Sequence, residues 1–310
     1  NLCANDYFQL RHDPRVIEGA KKACETYGTG SGASPLLSGF LPCHQSLLNQ
    51  LRKWKHKSYG LLFNAGFMAN QAVLKHLPGE NEFAINHLME TPKYSLVKFV
   101  LGEGNRLKAL ISAGIHGDEP SGVEAICSFL ENNRFENFAD VWELTFLPCL
   151  NPYGYEYGSR ENHEGKDLNR LFKHDSPPQE VKFAMSIFDK YYDLTIELHE
   201  DFMTPGYYLY QKGTHAEDDQ LGKKILQAVK KVMPINLNGE IDGCSAQEGI
   251  MVPENDFKSM DWWPMALYSL FKGTRRCLTL ETATKFSMDV RIEAHLVAID
   301  TALNYFSRKE

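Results

Sequence analysis

The apolar run Ala109-Leu110-Ile111-Ser112-Ala113-Gly114-Ile115 ends on His116-Gly117-Asp118-Glu119, and the helical pattern of Ser121 to Leu130 starts directly after it. A buried strand that passes through a short loop into a helix is the opening of a βαβ unit, and such units build parallel sheets with helices on both faces. Open α/β sheets bind ligands at the carboxyl ends of their strands. His116 and Glu119 stand at that kind of position. Residues three apart can face one ion once the chain turns into a helix, and Gly117 permits a tight turn that brings backbone and metal close.

The alternation continues through the chain. Strand-like runs at Tyr94 to Leu101, Leu107 to Ile115, Glu143 to Leu147, Asp193 to His199, Tyr207 to Tyr210 and Cys277 to Glu281 alternate with helical patterns. These helices lie near Ser121 to Leu130, Gln179 to Lys190, Gln220 to Val232 and Asp289 to Phe306, which predicts an α/β sandwich. Upstream, helices near Pro14 to Tyr27, His44 to His56 and Ala69 to Leu77 precede a junction at Pro78-Gly79-Glu80-Asn81. No internal repeat or low-complexity tract interrupts this order.

Two imidazoles and a carboxylate are what a catalytic zinc takes from protein, with a fourth position left open. His199, at the end of the apolar run from Tyr191, supplies the second imidazole. A lone H-x-x-E is a weak signal, but here it belongs to an ordered string. Leu150-Asn151-Pro152-Tyr153-Gly154, Ser159-Arg160-Glu161-Asn162 and Asp167-Leu168-Asn169-Arg170 come next, then Glu197-Leu198-His199 and Leu278-Thr279-Leu280-Glu281-Thr282. Arginine pairs bidentately with carboxylates, which suits Arg170 to anchoring an anionic substrate. Glu281 and Glu200 are rival proton acceptors, with Glu281 preferred. Glu197 is expected on the strand face opposite His199, in a structural role. His163, His174 and His215 lie in polar surroundings and read as solvated. Tyr207-Tyr208-Leu209-Tyr210, Met251 and Trp262-Trp263 are either pocket walls or core.

From Leu107 to about Arg308 this string resembles the zinc carboxypeptidase superfamily, with its succinylglutamate desuccinylase, aspartoacylase and murein-peptide amidase branches. The resemblance implies a three-layer α/β sandwich around a mixed, mainly parallel sheet of about eight strands, forming a catalytic domain over residues 82–310. It implies one Zn2+ per chain, held by His116, Glu119 and His199. Arg160 would polarise the scissile carbonyl and stabilise its oxyanion, while Asn169 and Arg170 would hold a substrate carboxylate. Glu281 would take a proton from the zinc-activated water and deliver it to the leaving nitrogen. Asp167 would accept a hydrogen bond from the ring of His116. The separation of about 80 residues between Glu119 and His199 looks closer to the compact bacterial amidase and acylase branches than to digestive carboxypeptidases. The string Arg160 to Arg170 most resembles the peptidase and murein-amidase versions. The expected activity is therefore amide hydrolysis beside a carboxylate, as a metallocarboxypeptidase or peptide amidase, the alternative being an N-acyl amino acid deacylase.

Residues 1–79 tell a different story. Asn5-Asp6-Tyr7, His12-Asp13-Pro14-Arg15-Val16-Ile17, Tyr27-Gly28-Thr29-Gly30-Ser31-Gly32, Leu37-Ser38-Gly39, His44 and the stretch from Leu62 to Val73 resemble the amino-terminal part of 8-amino-7-oxononanoate synthase, of the α-oxoamine synthase family. That family's cofactor-stacking histidine, pyridinium-pairing aspartate and Schiff-base lysine all lie beyond the matching stretch. Pyridoxal-phosphate chemistry needs the lysine, and no later segment resembles its motif. The segment is expected to be a truncated, mostly helical, non-catalytic appendage with no cofactor, and a role in biotin synthesis is expected to be inactive. Gly28 to Gly32 fits neither a P-loop nor a dinucleotide fingerprint. Backbone amides at Ala65-Gly66-Phe67 are a minor candidate for phosphate binding.

Composition sets the outer bounds. With 43% hydrophobic and 24% charged residues the chain is ordinary for a globular protein. A net charge of -7 argues against general nucleic-acid binding. No apolar run is long enough to span a bilayer. The seven cysteines lack C-x-x-C spacing and read as reduced thiols, which points to the cytoplasm. The expected partner is a small peptide or N-acyl amino acid with a free carboxylate, not nucleic acid or membrane, and the oligomeric state stays open.

Overall fold

A computed structural model describes residues 12–29, 40–55, 60–62, 84–90, 94–213, 220–251 and 257–307. The chain divides into two compact units, Asn1–Leu74 and Lys75–Glu310. The first holds α1 (Pro14–Tyr27) and α2 (Pro42–Lys55). Asp13 starts α1 by accepting from the Arg15 amide at 2.8 Å, Pro14 pre-sets the first turn, and Gly28, at φ 80°, ends it. Neither helix has a buried residue, and Val16, Ile17, Leu47 and Trp54 are exposed. The expected helix at Ala69 to Leu77, the junction at Pro78 to Asn81, and Ala65-Gly66-Phe67 lie outside the described residues.

The second unit is built on a ten-stranded sheet: β1 (Ala84–Glu90), β2 (Ser95–Leu101), β3 (Leu107–Ala113), β4 (Trp142–Leu147), β5 (Leu194–Asp201), β6 (Tyr208–Gly213), β7 (Glu240–Ile241), β8 (Cys244–Gln247), β9 (Ile250–Met251) and β10 (Arg276–Ala283). Their spatial order is β1-β2-β4-β3-β5-β10-β6-β9-β8-β7. The central β4-β3-β5-β10 pairings are parallel, whereas β1-β2-β4 and β10-β6 are antiparallel. The sheet has two strands more than the eight that the resemblance implies, and β7 to β9 at its edge are only two to four residues long.

Helices cover both faces. On one lie α3 (Pro120–Glu131), α6 (Gln220–Val229) and α8 (Met288–Ser307), with α8 packed against the other two. On the other lie α5 (Gln179–Ile187) and α7 (Met265–Phe271), whose Val181, Phe183, Met265 and Tyr268 share a core with Leu110, Leu147 and Phe172. A short α4 (Pro152–Tyr157) follows β4. Because the central strands are covered twice, β4 is buried at every position and β5 at all but its last. Hydrophobic alternation therefore disappears there, and each polar residue that remains needs a reason.

Candidate metal centre

Strand register brings the site together. His199 on β5 sits directly beside Glu281 on β10, with Tyr208 of β6 beyond. His116 and Glu119 arrive from the loop between β3 and α3. Glu119 occupies the N-cap position of α3 but makes no capping bond, because its carboxylate turns toward the two imidazoles. One oxygen meets His116 Nδ1 at 2.6 Å and the other meets His199 Nδ1 at 2.7 Å. Glu200 takes over the cap, accepting from the Ser121 amide at 2.6 Å while pairing with Arg291. The Ser121 amide that opens α3 is thus satisfied from β5, freeing Glu119 for the site.

All three residues are buried, and one donor atom from each lies within 4.8 Å of the others. This compact His-Glu-His set of hard and borderline donors is what a metal ion requires, and it fits zinc. Burial alone would raise the Glu119 carboxyl, but His199 and His116 beside it hold it well below the usual range. Burial would likewise lower His199, and Glu119 reverses that, raising it well above an ordinary histidine. The group therefore attracts positive charge in its centre.

Gly117 lies in the expected turn between His116 and Glu119, where the Glu119 amide donates to the His116 carbonyl at 3.4 Å, and it also has a second role. A Cβ there would fall 1.9 Å from the Gly154 carbonyl carbon, so the loop lies directly on the backbone of α4. Asn151 caps α4 by accepting from Gly154 N–H at 2.9 Å and donates to the Arg160 carbonyl at 3.2 Å. Asn162 holds the following loop, accepting from the Glu164 and Lys166 amides at 3.0 and 3.2 Å and donating to Glu180 at 3.3 Å. These anchors deliver Arg160 and Asp167 to the histidines. Arg160 donates to Asp167 at 3.1 Å and to Glu119 at 3.3 Å. Asp167 lies 3.1 Å from His116 Nε2. Burial opposes its ionisation, yet the His116 hydrogen bond and the charges of Arg160 and Arg170 keep it well below the usual carboxylate range.

Asn169 is buried, whereas Arg170 beside it is only partly so. The Asn169 side-chain carbonyl accepts from Met265 N–H at 2.9 Å, which leaves its amide N–H groups unused by that bond. The Arg170 guanidinium stacks 4.4 Å over Trp262. Glu281 stands in register beside His199: burial pushes its carboxyl up to about 8 against the pull of His199.

One expectation changes here. Glu197 does not face away from His199, since residues two apart on a strand share a face, and its Oε2 lies 3.9 Å from His199 Nε2. Glu200, on the opposite face, is taken up by Ser121 and Arg291. Of the aromatic candidates, only Trp262 reaches Arg170. Tyr208 and Met251 belong to a core cluster with Ile241, and Trp263 to the larger core. Among the described histidines outside the site, His163 and His174 are exposed, whereas His215 lies outside the described residues. The supporting residues Ser121, Arg291 and Asn162 carried no motif of their own beyond the asparagine's place in the string. The described cysteines are free thiols. Burial pushes Cys127, Cys149 and Cys277 up to about 12. None of the described helices is long and apolar enough to cross a membrane.

The fold is that of metallocarboxypeptidases. The structure overlays a Burkholderia cenocepacia metallo-carboxypeptidase with a TM-score of 0.56 at 17% identity, covering 78% of this chain and 68% of that one. A Pseudomonas aeruginosa metallo-carboxypeptidase, solved with (2-guanidinoethylmercapto)succinic acid, gives 0.57 at 14% identity, covering 76% and 68%. A Shewanella denitrificans protein provisionally termed a metallopeptidase gives 0.65 at 22% identity, covering 77% and 88%.

More particularly, residues 105–246 match the succinylglutamate desuccinylase/aspartoacylase catalytic domain. Curated relatives give a separate resemblance. The chain is 42% identical to the 8-amino-7-oxononanoate synthase of Photobacterium profundum over 85 residues, which are 27% of this chain and 22% of that protein. With the Aliivibrio fischeri synthase it shares 34% identity over 154 residues, 47% of this chain and 40% of that protein. It thus spans well under two thirds of the length of either.

Proposed function

We propose that the second unit is a zinc-dependent amide hydrolase that cuts beside a substrate carboxylate, as a carboxypeptidase or peptide amidase. The observation that carries this reading is the convergence of His116, Glu119 and His199 on one point, with Glu281 in register beside His199. A zinc ion held by those three residues would polarise a carbonyl and acidify water. Glu281 accepts the proton of the attacking water and passes it to the departing nitrogen. Its burial favours this, since a carboxyl near neutral pKa can both take and return a proton. Arg160 lies within reach of the same centre and stabilises the oxyanion, for which the loss of a comparable donor costs roughly 100- to 1000-fold in rate. Asn169 offers its amide N–H groups and Arg170 its guanidinium to the substrate carboxylate, and Trp262 holds the plane of Arg170. Residues 1–79 form the appendage and residues 82–310 the catalytic domain.

A second reading, an N-acyl amino acid deacylase, is favoured by the family match over residues 105–246. A zinc-dependent hydrolysis screen of C-terminal peptides, N-acyl amino acids and a murein tripeptide separates the two. Turnover of peptides that disappears in His116→Ala supports the first. Turnover of acyl amino acids alone supports the second, and zinc-loaded protein inert to all three classes rejects both.

A further inference from the structure

We propose that Glu197 is a positioning residue for His199, accepting the Nε2–H of its ring as Asp167 accepts that of His116. This rests on the reading of His116, Glu119 and His199 as a zinc site. The two imidazoles are built alike: each turns Nδ1 toward Glu119, at 2.6 and 2.7 Å, and each has a carboxylate behind Nε2. For His116 the bond to Asp167 is made, at 3.1 Å. For His199 the separation to Glu197 is 3.9 Å, and His199 Nε2, Glu197 Oε1 and Glu197 Oε2 are all buried without a hydrogen-bond partner.

Neighbouring buried atoms that include one donor and two acceptors are complementary. Leaving such buried groups without a partner is costly, and a torsional adjustment of a glutamate side chain brings 3.9 Å into hydrogen-bond range. The cross-strand neighbours of Glu197 are Ser112 on β3 and Thr279 on β10, neither carrying a charge. Asp167, by contrast, is shared between His116, Arg160 and the Asn169 amide. Carboxylates behind metal-bound histidines fix the tautomer and ring orientation, and their loss typically weakens metal binding 10- to 100-fold.

Zinc affinity of the full chain, read by competition with a chromogenic chelator, tests this without reference to any substrate. Glu197→Met keeps the volume and removes the acceptors, so zinc affinity falls roughly 10- to 100-fold while thermal stability holds or rises. Glu197→Gln retains one acceptor oxygen and loses less. A folded Glu197→Met protein with wild-type zinc affinity overturns the assignment and leaves the zinc site standing. Wild-type protein that takes up no zinc overturns both. Should neither variant fold, proton NMR of the zinc-loaded wild type decides: an exchange-protected His199 Nε2–H with a cross-peak to the Glu197 methylenes is the expected signature, and its absence refutes the pairing.

Discussion

α1 and α3 are helices of similar length, 14 and 12 residues, and both begin on proline, yet they end in opposite environments. α3 buries eight residues, among them Val123, Ile126, Phe129 and Leu130 against the sheet and α8, whereas α1 buries none among the described residues. An amphipathic pattern specifies a face but not what covers it. In the second unit the cover is a sheet whose strand ends also carry the metal residues, so packing and chemistry are tied to the same elements. In the first unit Val16 and Ile17 are exposed at 49% and 41%.

The largest effects should therefore fall in the second unit. Replacing His199 by alanine should abolish zinc binding and hydrolysis together; metal analysis showing a full complement of zinc in that variant would remove the residue from the site. Glu281→Gln should keep zinc and substrate affinity while lowering turnover by at least about 100-fold, the low end for a positioned proton-transfer group. The same variant tests a stability effect. In metal-free protein burial raises the Glu281 carboxyl to about 8 from 4.5, so the folded state keeps a proton that the unfolded chain gives up. That contribution is complete below the unfolded value and is lost as pH climbs toward the folded one. Urea midpoints near pH 5 and near pH 8 should show a steeper fall for wild type than for Glu281→Gln, and identical slopes would contradict it.

Arg170→Ala should cost roughly 10- to 100-fold in kcat/KM for substrates with a free carboxylate, as befits a lost charge-assisted hydrogen bond, and far less for their amides. Equal losses would make Arg170 structural. In stability, Phe129→Ala should cost about 3–5 kcal/mol, whereas Ile17→Ala should stay within about 0.5 kcal/mol. A comparable loss at Ile17 would show that α1 has a cover after all. At the small end, removing residues 1–79 should leave zinc content and kcat/KM unchanged while improving solubility, because exposed apolar faces promote association. A shortened protein that folds and binds zinc but no longer turns over substrate would attach the first unit to the chemistry.

The strands and helices that carry the site were legible because long elements repeat their pattern. β3, β5, β10, α3 and α8 all fall within two residues of where apolar runs and caps placed them. The elements that went unread did so for identifiable reasons. β7 and β9 have two residues each, and α4 has six, Pro-Tyr-Gly among them, which leaves no room for periodicity. The faces of β5 were misjudged at Glu197 although the two-residue period settles it. Glu200 looked like a rival base until Ser121 and Arg291, which are 79 and 91 residues distant in the chain, claimed it. Such long-range partners are invisible to local pattern. So is the fate of an amphipathic face, which is the difference between α1 and α3.

The contact of Gly117 with Gly154 has a further consequence for how this site could be transplanted or recombined. With backbone resting on backbone, no side chain lies between the two segments to absorb a change of shape. The loop bearing His116 and Glu119 and the turn leading to Arg160 therefore behave as one part cut from two stretches of chain. A chimaera that imports residues 113–119 from a relative while keeping the native 151–160, or the reverse, inherits only half of a fitted joint. Exchange of both stretches together is the unit in which this chemistry can be moved.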